Sequence, residues 1–312
     1  MISFPNARIT LGLWVTGRRS DGFHDIETLM VPAPLYDALE AVPSSDGETE
    51  LGLSGLPVPG DGQPNLCLQA YDLMQELLTF RQDTAGTGWK VPHRQPKDSS
   101  QSPLPRRALV SKQSTLSQQS SSSRQSVSSQ RSLRSPGSVL PPLHMHLHKG
   151  IPAGAGLAGG SADAAFMLRM LNTFIKPPLT TSELTTLAEQ LGSDCPFFIR
   201  NEAAMVSGRG NILTPQPVPI DFHKYRLEIV TPDIHISTAE AYRRIRPKPR
   251  RTSLSNLLQA PITEWKHIIV NDFEEVVFEM HPEMANVKTG LYDQGAVYAS
   301  LSGSGSAVYA LF

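Results

Sequence analysis

Lys149-Gly-Ile-Pro-Ala-Gly-Ala-Gly-Leu-Ala-Gly-Gly-Ser-Ala-Asp-Ala-Ala165 is the stretch on which the fold turns. It places Gly154, Gly156, Gly159 and Gly160 within seven residues. Ahead of it, Leu143-His-Met-His-Leu-His148 alternates as a strand does. Behind it, Met167, Leu168, Leu171, Phe174 and Ile175 fall at helical spacing, which predicts a helix over 161–175. A glycine loop that feeds a helix start is an anion site in waiting. Free N–H groups converge there, the helix dipole adds partial positive charge, and absent side chains let a phosphate reach the backbone.

Read locally, the stretch has three meanings. Gly154, Gly156 and Gly159 satisfy G-x-G-x-x-G, the dinucleotide fingerprint. That fold requires a second strand ending in an acidic residue about 20 residues on, whereas a second helical pattern, 183–191, follows here. A Walker loop requires lysine where Gly160 stands. A bare flexible turn is the third meaning.

The rest of the chain bounds the choice. Its 312 residues allow one large or two ordinary domains with ample core. A net charge of −1 gives no argument for nucleic-acid or membrane binding. Cys67 and Cys195 form neither a metal-ligand cluster nor a disulfide framework, which points to a reduced setting. The first residues lack the basic-then-apolar pattern of a leader, and no run of 18 apolar residues occurs, so a soluble, cytoplasmic protein is expected.

Residues 2–42 read as an N-terminal sheet, with strands over 9–15, 23–31 and 35–42 and turn chemistry at Gly17-Arg-Arg-Ser-Asp-Gly22. A connecting loop over 44–62 holds a short strand, and Pro64-Asn65 opens a helix carried by Leu66, Ala70, Leu73, Met74, Leu77 and Leu78. Residues 81–142 differ in kind. Between Ser99 and Ser138, 16 of 40 residues are serine, and 81–142 carries a charge of +8 against −9 for the remainder. Such a segment buries too little apolar surface to offset chain entropy, so it is expected to be a disordered, basic insert. Thr180-Thr-Ser-Glu183 and Ser237-Thr-Ala-Glu240 are capping boxes for two further helices. Strands are expected over 203–206, 211–213 and 225–231, helices over 253–258, 271–280 and 284–293, and a closing strand pair around Leu301-Ser-Gly-Ser-Gly-Ser306.

Four separated stretches resemble one family. Pro5-Asn-Ala-Arg-Ile-Thr-Leu-Gly-Leu13 with Arg19-Ser-Asp-Gly-Phe-His-Asp-Ile-Glu-Thr28, the loop Pro152 to Ala165, Leu191-Gly-Ser-Asp-Cys-Pro-Phe-Phe198 and Leu301 to Ser306 are similar to motifs of the 4-diphosphocytidyl-2-C-methyl-D-erythritol kinases, members of the GHMP kinase superfamily. The resemblance implies an α+β fold of two lobes, about 1–205 apart from the insert and 206–312, with the active site between them. It implies transfer of the ATP γ-phosphate to a hydroxyl of a small molecule bearing a cytidine diphosphate, with Mg2+. Gly154, Gly156, Gly159, Gly160 and Ser161 would cradle the ATP phosphates, Ser161 also touching the metal, while Asn65 and Lys149 contact the nucleotide. Asp194 would be the general base, with Arg8 beside it. Phe23, His24, Thr10, Thr238 and Tyr242 would hold the substrate, the aromatics against the cytosine.

The chain departs from the family pattern at named positions. Arg8 stands for lysine, Thr10 for asparagine, Ala158 for glycine and Phe23 for tyrosine. Those changes keep two other functions in play, a silent binding protein on a kinase scaffold and a sister kinase for mevalonate or homoserine. Phe23, His24 and Tyr242 speak against the sister kinase, whose substrates carry no base to stack.

Overall fold

The computed structural model describes residues 1–58, 64–83, 129–131 (backbone only) and 140–312. The chain opens with β1 (Ile2–Ser3) and the long strands β2 (Asn6–Arg18) and β3 (His24–Tyr36), followed by β4 (Ala38–Pro43) and β5 (Glu50–Gly55). Every residue of β2 from Asn6 to Val15 is buried, so this strand is covered on both faces. Its alternation is functional. Ala7, Ile9 and Leu11 enter an apolar core, while Arg8 and Thr10 are buried polar residues on the opposite face. At Gly12, φ is +65° and the pairing with β3 slips, which bulges the strand. Beyond the bulge the parity changes. Trp14 joins the core of Ile9, and Leu13 and Val15 turn into a separate core.

The expected strand over 35–42 is two strands, broken at Asp37, whose Oδ1 accepts the N–H groups of Gly150 and Ile151 at 2.6 and 2.8 Å. Helix α1 (Leu66–Asp83) runs past residue 81, and β6 (Ser129–Arg131) pairs with β5. Leu140 is buried and its N–H donates to Gln75 Oε1. The insert is therefore structured at both of its ends, because the helix keeps its apolar stripe through Leu78 and Leu140 supplies an anchor. Its remainder, 84–128 and 132–139, lies outside the described residues.

Strand β7 (Leu143–Lys149) sits between β4 and β5, giving the sheet order β1-β4-β7-β5-β6. Leu143, Met145, Leu147 and Lys149 face inward. Helices α2 (Gly159–Asn172), α3 (Thr181–Leu191) and α4 (Cys195–Arg200) cover that face together with α1. α2 stops at Asn172 rather than 175, with Thr173 as its C-cap, four residues short of Pro177. Its Ala162, Ala164 and Ala165 are fully buried, small residues that suit close helix packing.

β8 (Ala204–Ser207) and β9 (Ile212–Pro215) extend β2 and β3 into a sheet of order β2-β3-β8-β9, so the expected division at 205/206 falls inside a strand. β10 (Leu227–Val230) is followed by α5 (Thr238–Arg244), α6 (Leu254–Leu257), α7 (Trp265–Ile268), α8 (Phe273–Met280) and α9 (Pro282–Asp293), then β11 (Tyr298–Leu301) and β12 (Val308–Leu311). β10, β12 and β11 form an antiparallel sheet, and α5, α8 and α9 pack with it around Leu13 and Val15. The capping box of α3 is complete. At α5 only half forms. Ser237 accepts from Glu240 N–H, but the Glu240 carboxylate turns to Arg243 and Arg244 one turn along.

Candidate active site

The site grows from contacts between segments far apart in sequence. Arg8 N–H donates to Leu157 O at 3.0 Å, tying β2 to the glycine loop. The Arg8 guanidinium then forks. Nη1 donates to Gly156 O, and Nη2 meets Asp194 Oδ2 at 2.7 Å. Arginine can hold both because its donors are fixed in one plane. Asp194 stands just before α4, yet its carboxylate caps nothing there. It is spent on Arg8 and keeps 23 % of its surface open, enough for a substrate to reach it.

The far side of the loop rests on the C-terminal glycine motif. Ala307 N–H donates to Ala155 O at 2.8 Å, and Ser302 Oγ donates to Gly156 O at 2.9 Å. The fit is backbone on backbone. A Cβ on Gly156 would stand 2.1 Å from Ser302 O, and one on Gly305 would stand 2.2 Å from Gly156 N. Asn271, ahead of α8, clamps the same motif, its Nδ2 donating to Leu301 O and Gly303 O. Thr10 Oγ1 accepts from Gly303 N–H at 2.8 Å. Thr10 is 1 % exposed, so it supports this motif from behind; it was expected among the substrate contacts.

The start of α2 fits a phosphate. Ala158 supplies no side-chain cap, so the first-turn N–H groups of Gly159, Gly160 and Ser161 face the loop with no capping partner, and Gly154 and Gly160 are exposed. Ala158 itself sits at φ 58°, ψ 31° in the left-handed region. That conformation costs an L-residue about 1–2 kcal/mol, partly offset by the chain entropy alanine spares. Ala158→Gly is therefore expected to stabilise the protein by about 1 kcal/mol, read as a higher urea midpoint at unchanged slope. Asn65 Oδ1 accepts from Cys67 N–H and caps α1. The neighbouring Leu66 reaches within 3.7 Å of the space beside Gly160. The Ser161 hydroxyl lies against Cys195, whose thiol burial pushes up to about 12.

Lys149 is placed unlike the expectation of a nucleotide contact. It is 4 % exposed, and its Nζ binds Asp37 Oδ2 and, at 2.6 Å, Asp163 Oδ2. Burial alone would lower its pKa, but the two carboxylates outweigh it and raise it. Asp163 is pushed up to about 8, chiefly by burial. The strand's inward parity explains the position. Lys149 continues the row Leu143, Met145 and Leu147, and it buttresses the loop from below.

On the substrate side, the His24 and Tyr242 rings lie 5.4 Å apart, and Tyr242 meets Phe273 edge-on at 4.8 Å. Burial, followed by the negative charge of Asp194, pushes the Tyr242 phenol up to about 12 against the opposing charge of Arg8. Burial, with Arg18 adding to it, lowers the His24 pKa, which keeps the imidazole neutral. Thr238 Oγ1 accepts from Ser304 Oγ at 3.2 Å, and His235 stands 3.4 Å from the space over Gly154, so the approach to α5 touches both glycine motifs. Phe23 lies at the rim, 49 % exposed, with Arg209 over its ring.

A relative from Azobacteroides pseudotrichonymphae named 4-diphosphocytidyl-2-C-methyl-D-erythritol kinase is 40 % identical over 313 residues, which cover all of this chain and 93 % of the relative. The chain belongs to this kinase family. A second family member, from Bacteroides thetaiotaomicron, is 37 % identical across the whole chain and 92 % of its own length. Residues 127–202 match the GHMP kinases N terminal domain and 253–312 the GHMP kinases C terminal region. A crystal structure titled as 4-(cytidine 5'-diphospho)-2C-methyl-D-erythritol kinase superposes with a TM-score of 0.68 at 26 % identity, over the whole chain and 90 % of that structure. The mevalonate kinase of Methanococcus jannaschii shares the fold, with a TM-score of 0.59 at 12 % identity over the whole chain and 90 % of that structure. Among the described residues no helix is long and apolar enough to cross a membrane.

Within the kinase family's frame, the structure brings Arg8, Asp194 and Gly156 together and sets Tyr242 beside His24. Asn271, Asp37, Asp163 and Ser302 support the loop and were given no role by sequence reading. Asn271 carried a weak signal, since a helix start was expected there.

Proposed function

We propose that the chain transfers the γ-phosphate of ATP to a hydroxyl of 4-diphosphocytidyl-2-C-methyl-D-erythritol, a step toward isopentenyl diphosphate by the non-mevalonate route. The observation that carries this is the Arg8 fork, which joins the carboxylate of Asp194 to the carbonyl of Gly156 in the phosphate loop. One guanidinium thereby fixes the distance between a base and the place where a phosphate sits.

Phosphoryl transfer depends on positioning and on charge neutralisation more than on covalent help. ATP phosphates dock on the first-turn N–H groups of α2 and the loop backbone. The acceptor hydroxyl gives its proton to Asp194 as its oxygen bonds to the γ-phosphorus and the bond to the β-phosphate oxygen breaks. The Ser161 hydroxyl would hold a magnesium ion on the ATP phosphates, and the metal would supply charge neutralisation there. His24 reads the cytosine edge as a neutral imidazole, and Tyr242 packs beside it. The Arg8 guanidinium aims the Asp194 carboxylate and has no acceptor of its own to compete for the proton. The His24–Tyr242 pair also argues against mevalonate or homoserine as the substrate.

Turnover with ATP, magnesium and the cytidine diphosphate conjugate tests the reading, run beside Arg8→Lys. Wild type is expected to turn over well above background, with Arg8→Lys within about tenfold of it, because the family uses lysine there and lysine keeps the charge but loses the fork. A folded wild type that is silent while Arg8→Lys is active would instead make this chain a binding protein on a kinase scaffold.

A further inference from the structure

Resting on that kinase reading, we infer that Arg209 is a positioning residue for the cytidine site: from the β8–β9 turn it covers one face of Phe23 and holds the ring for the base. The guanidinium carbon lies 4.9 Å from the Phe23 ring centroid. Although Arg209 occupies the tip of a turn, its side chain is only 30 % exposed, so it is laid down rather than waving in solvent. The turn is pinned from two directions. Ile26 N–H donates to Gly208 O at 2.9 Å, and Arg209 N–H donates to Asn211 Oδ1 at 3.1 Å.

The Phe23 backbone is held as well. Its N–H donates to Asp21 Oδ1 at 3.1 Å, and its carbonyl accepts from Arg19 N–H at 2.9 Å. Asp21 in turn is shared by two cations, with Arg19 Nε at 3.2 Å and Arg209 Nη1 at 3.9 Å. Arg19 also bonds Asp25 at 3.0 Å. Backbone and ring are thus fixed by one charge network while half the residue stays open. A fully exposed phenylalanine that is merely tolerated needs no such network. The residue after it is His24, so the network also sets where β3 begins.

The chemistry suits a pyrimidine. A cation on one face of an aromatic ring is attracted by the ring quadrupole, and a neutral base can stack on the other face. Phe23 lacks a hydroxyl that could anchor its far edge, and the guanidinium lid supplies the missing restraint.

The test uses the full chain and two readouts, steady-state kinetics and direct calorimetric binding of cytidine diphosphate. Arg209→Ala is expected to raise KM for the cytidine substrate by roughly fivefold, with kcat and KM for ATP within about twofold. Cytidine diphosphate should weaken in parallel, and Arg209→Lys should recover part of both. In a Phe23→Leu background the Arg209→Ala change should be silent. Unchanged KM and unchanged cytidine diphosphate affinity in Arg209→Ala overturn the inference, as does a loss shared equally by kcat and both KM values. If wild type binds cytidine diphosphate but transfers no phosphate, the kinase reading fails while the binding arm still judges Arg209.

Discussion

Asp194→Asn is expected to lower kcat about a thousandfold, the usual scale for removing a general base. KM for both substrates should move little, because the amide keeps the shape and still accepts from Arg8. The carboxylate is placed for the task by elimination of its other uses. It stands where an aspartate would ordinarily cap a helix, yet α4 receives no side-chain cap from it. Its recorded partner is Arg8, and it stays partly open to solvent. The Arg8 guanidinium also binds Gly156 O, so the Asp194 carboxylate and the glycine loop are tied together through it. Pre-steady-state measurement of the transfer step, alongside a melting curve showing the variant folded, decides the matter. A folded variant retaining a tenth or more of wild-type kcat would remove Asp194 from the role of base.

The second large effect is on stability. Lys149→Met is expected to destabilise the protein by about 3–5 kcal/mol, because it removes the counter-charge from the buried pair Asp37 and Asp163. Asp37 and Asp163 are 0 % and 3 % exposed at the side chain, so water cannot take the place of the ammonium. At this chain length the loss should lower Tm by roughly 5–8 °C. Asp37 holds the loop's first N–H groups and Asp163 lies just past the first turn of α2, so ATP affinity should fall as well. The triad also carries a pH dependence. Asp163 holds its proton up to about 8 when folded and releases it near 3.8 when unfolded. Between those values the folded chain binds more protons, so the contribution of Asp163 is complete below 3.8 and is lost as pH rises through 8. Urea midpoints at pH 6 and pH 9 should therefore differ less in Asp163→Asn than in wild type. An equal difference in both proteins would show that the triad does not carry the pH effect.

Much of this fold was legible because its rules are short-range. The helix of α3 follows from Thr180 and Glu183 alone, and the glycine loop from its composition between a strand and a helix. The inward place of Lys149 was also legible in principle. It shares the parity of Leu143, Met145 and Leu147, and a period of two needs no tertiary information. The chemical appeal of a lysine beside a phosphate loop masked that reading. The division of β2 between cores was not legible. It depends on a bulge at Gly12, where a Cβ would stand 2.8 Å from Leu254 Cδ1, a neighbour more than 240 positions away. Arg209 could not be found either, since its meaning depends on which strand the β8–β9 turn lies against. The serine-rich insert was read by composition, which averages over a window and so blurs single anchors such as Leu140.

The contact of Ser302 and Gly305 against Gly156 also has a meaning in time. A ribosome makes 149–163 well before 300–307, and at 5–20 residues per second the delay is on the order of ten seconds. During that interval the glycine loop lacks its back wall, and the carbonyl of Gly156 lacks one of its two side-chain donors. A nascent chain, or one released early, therefore carries the nucleotide motif without a finished nucleotide site. Competence arrives with the last strand pair, so the phosphate loop is closed only on chains that have been completed through β12.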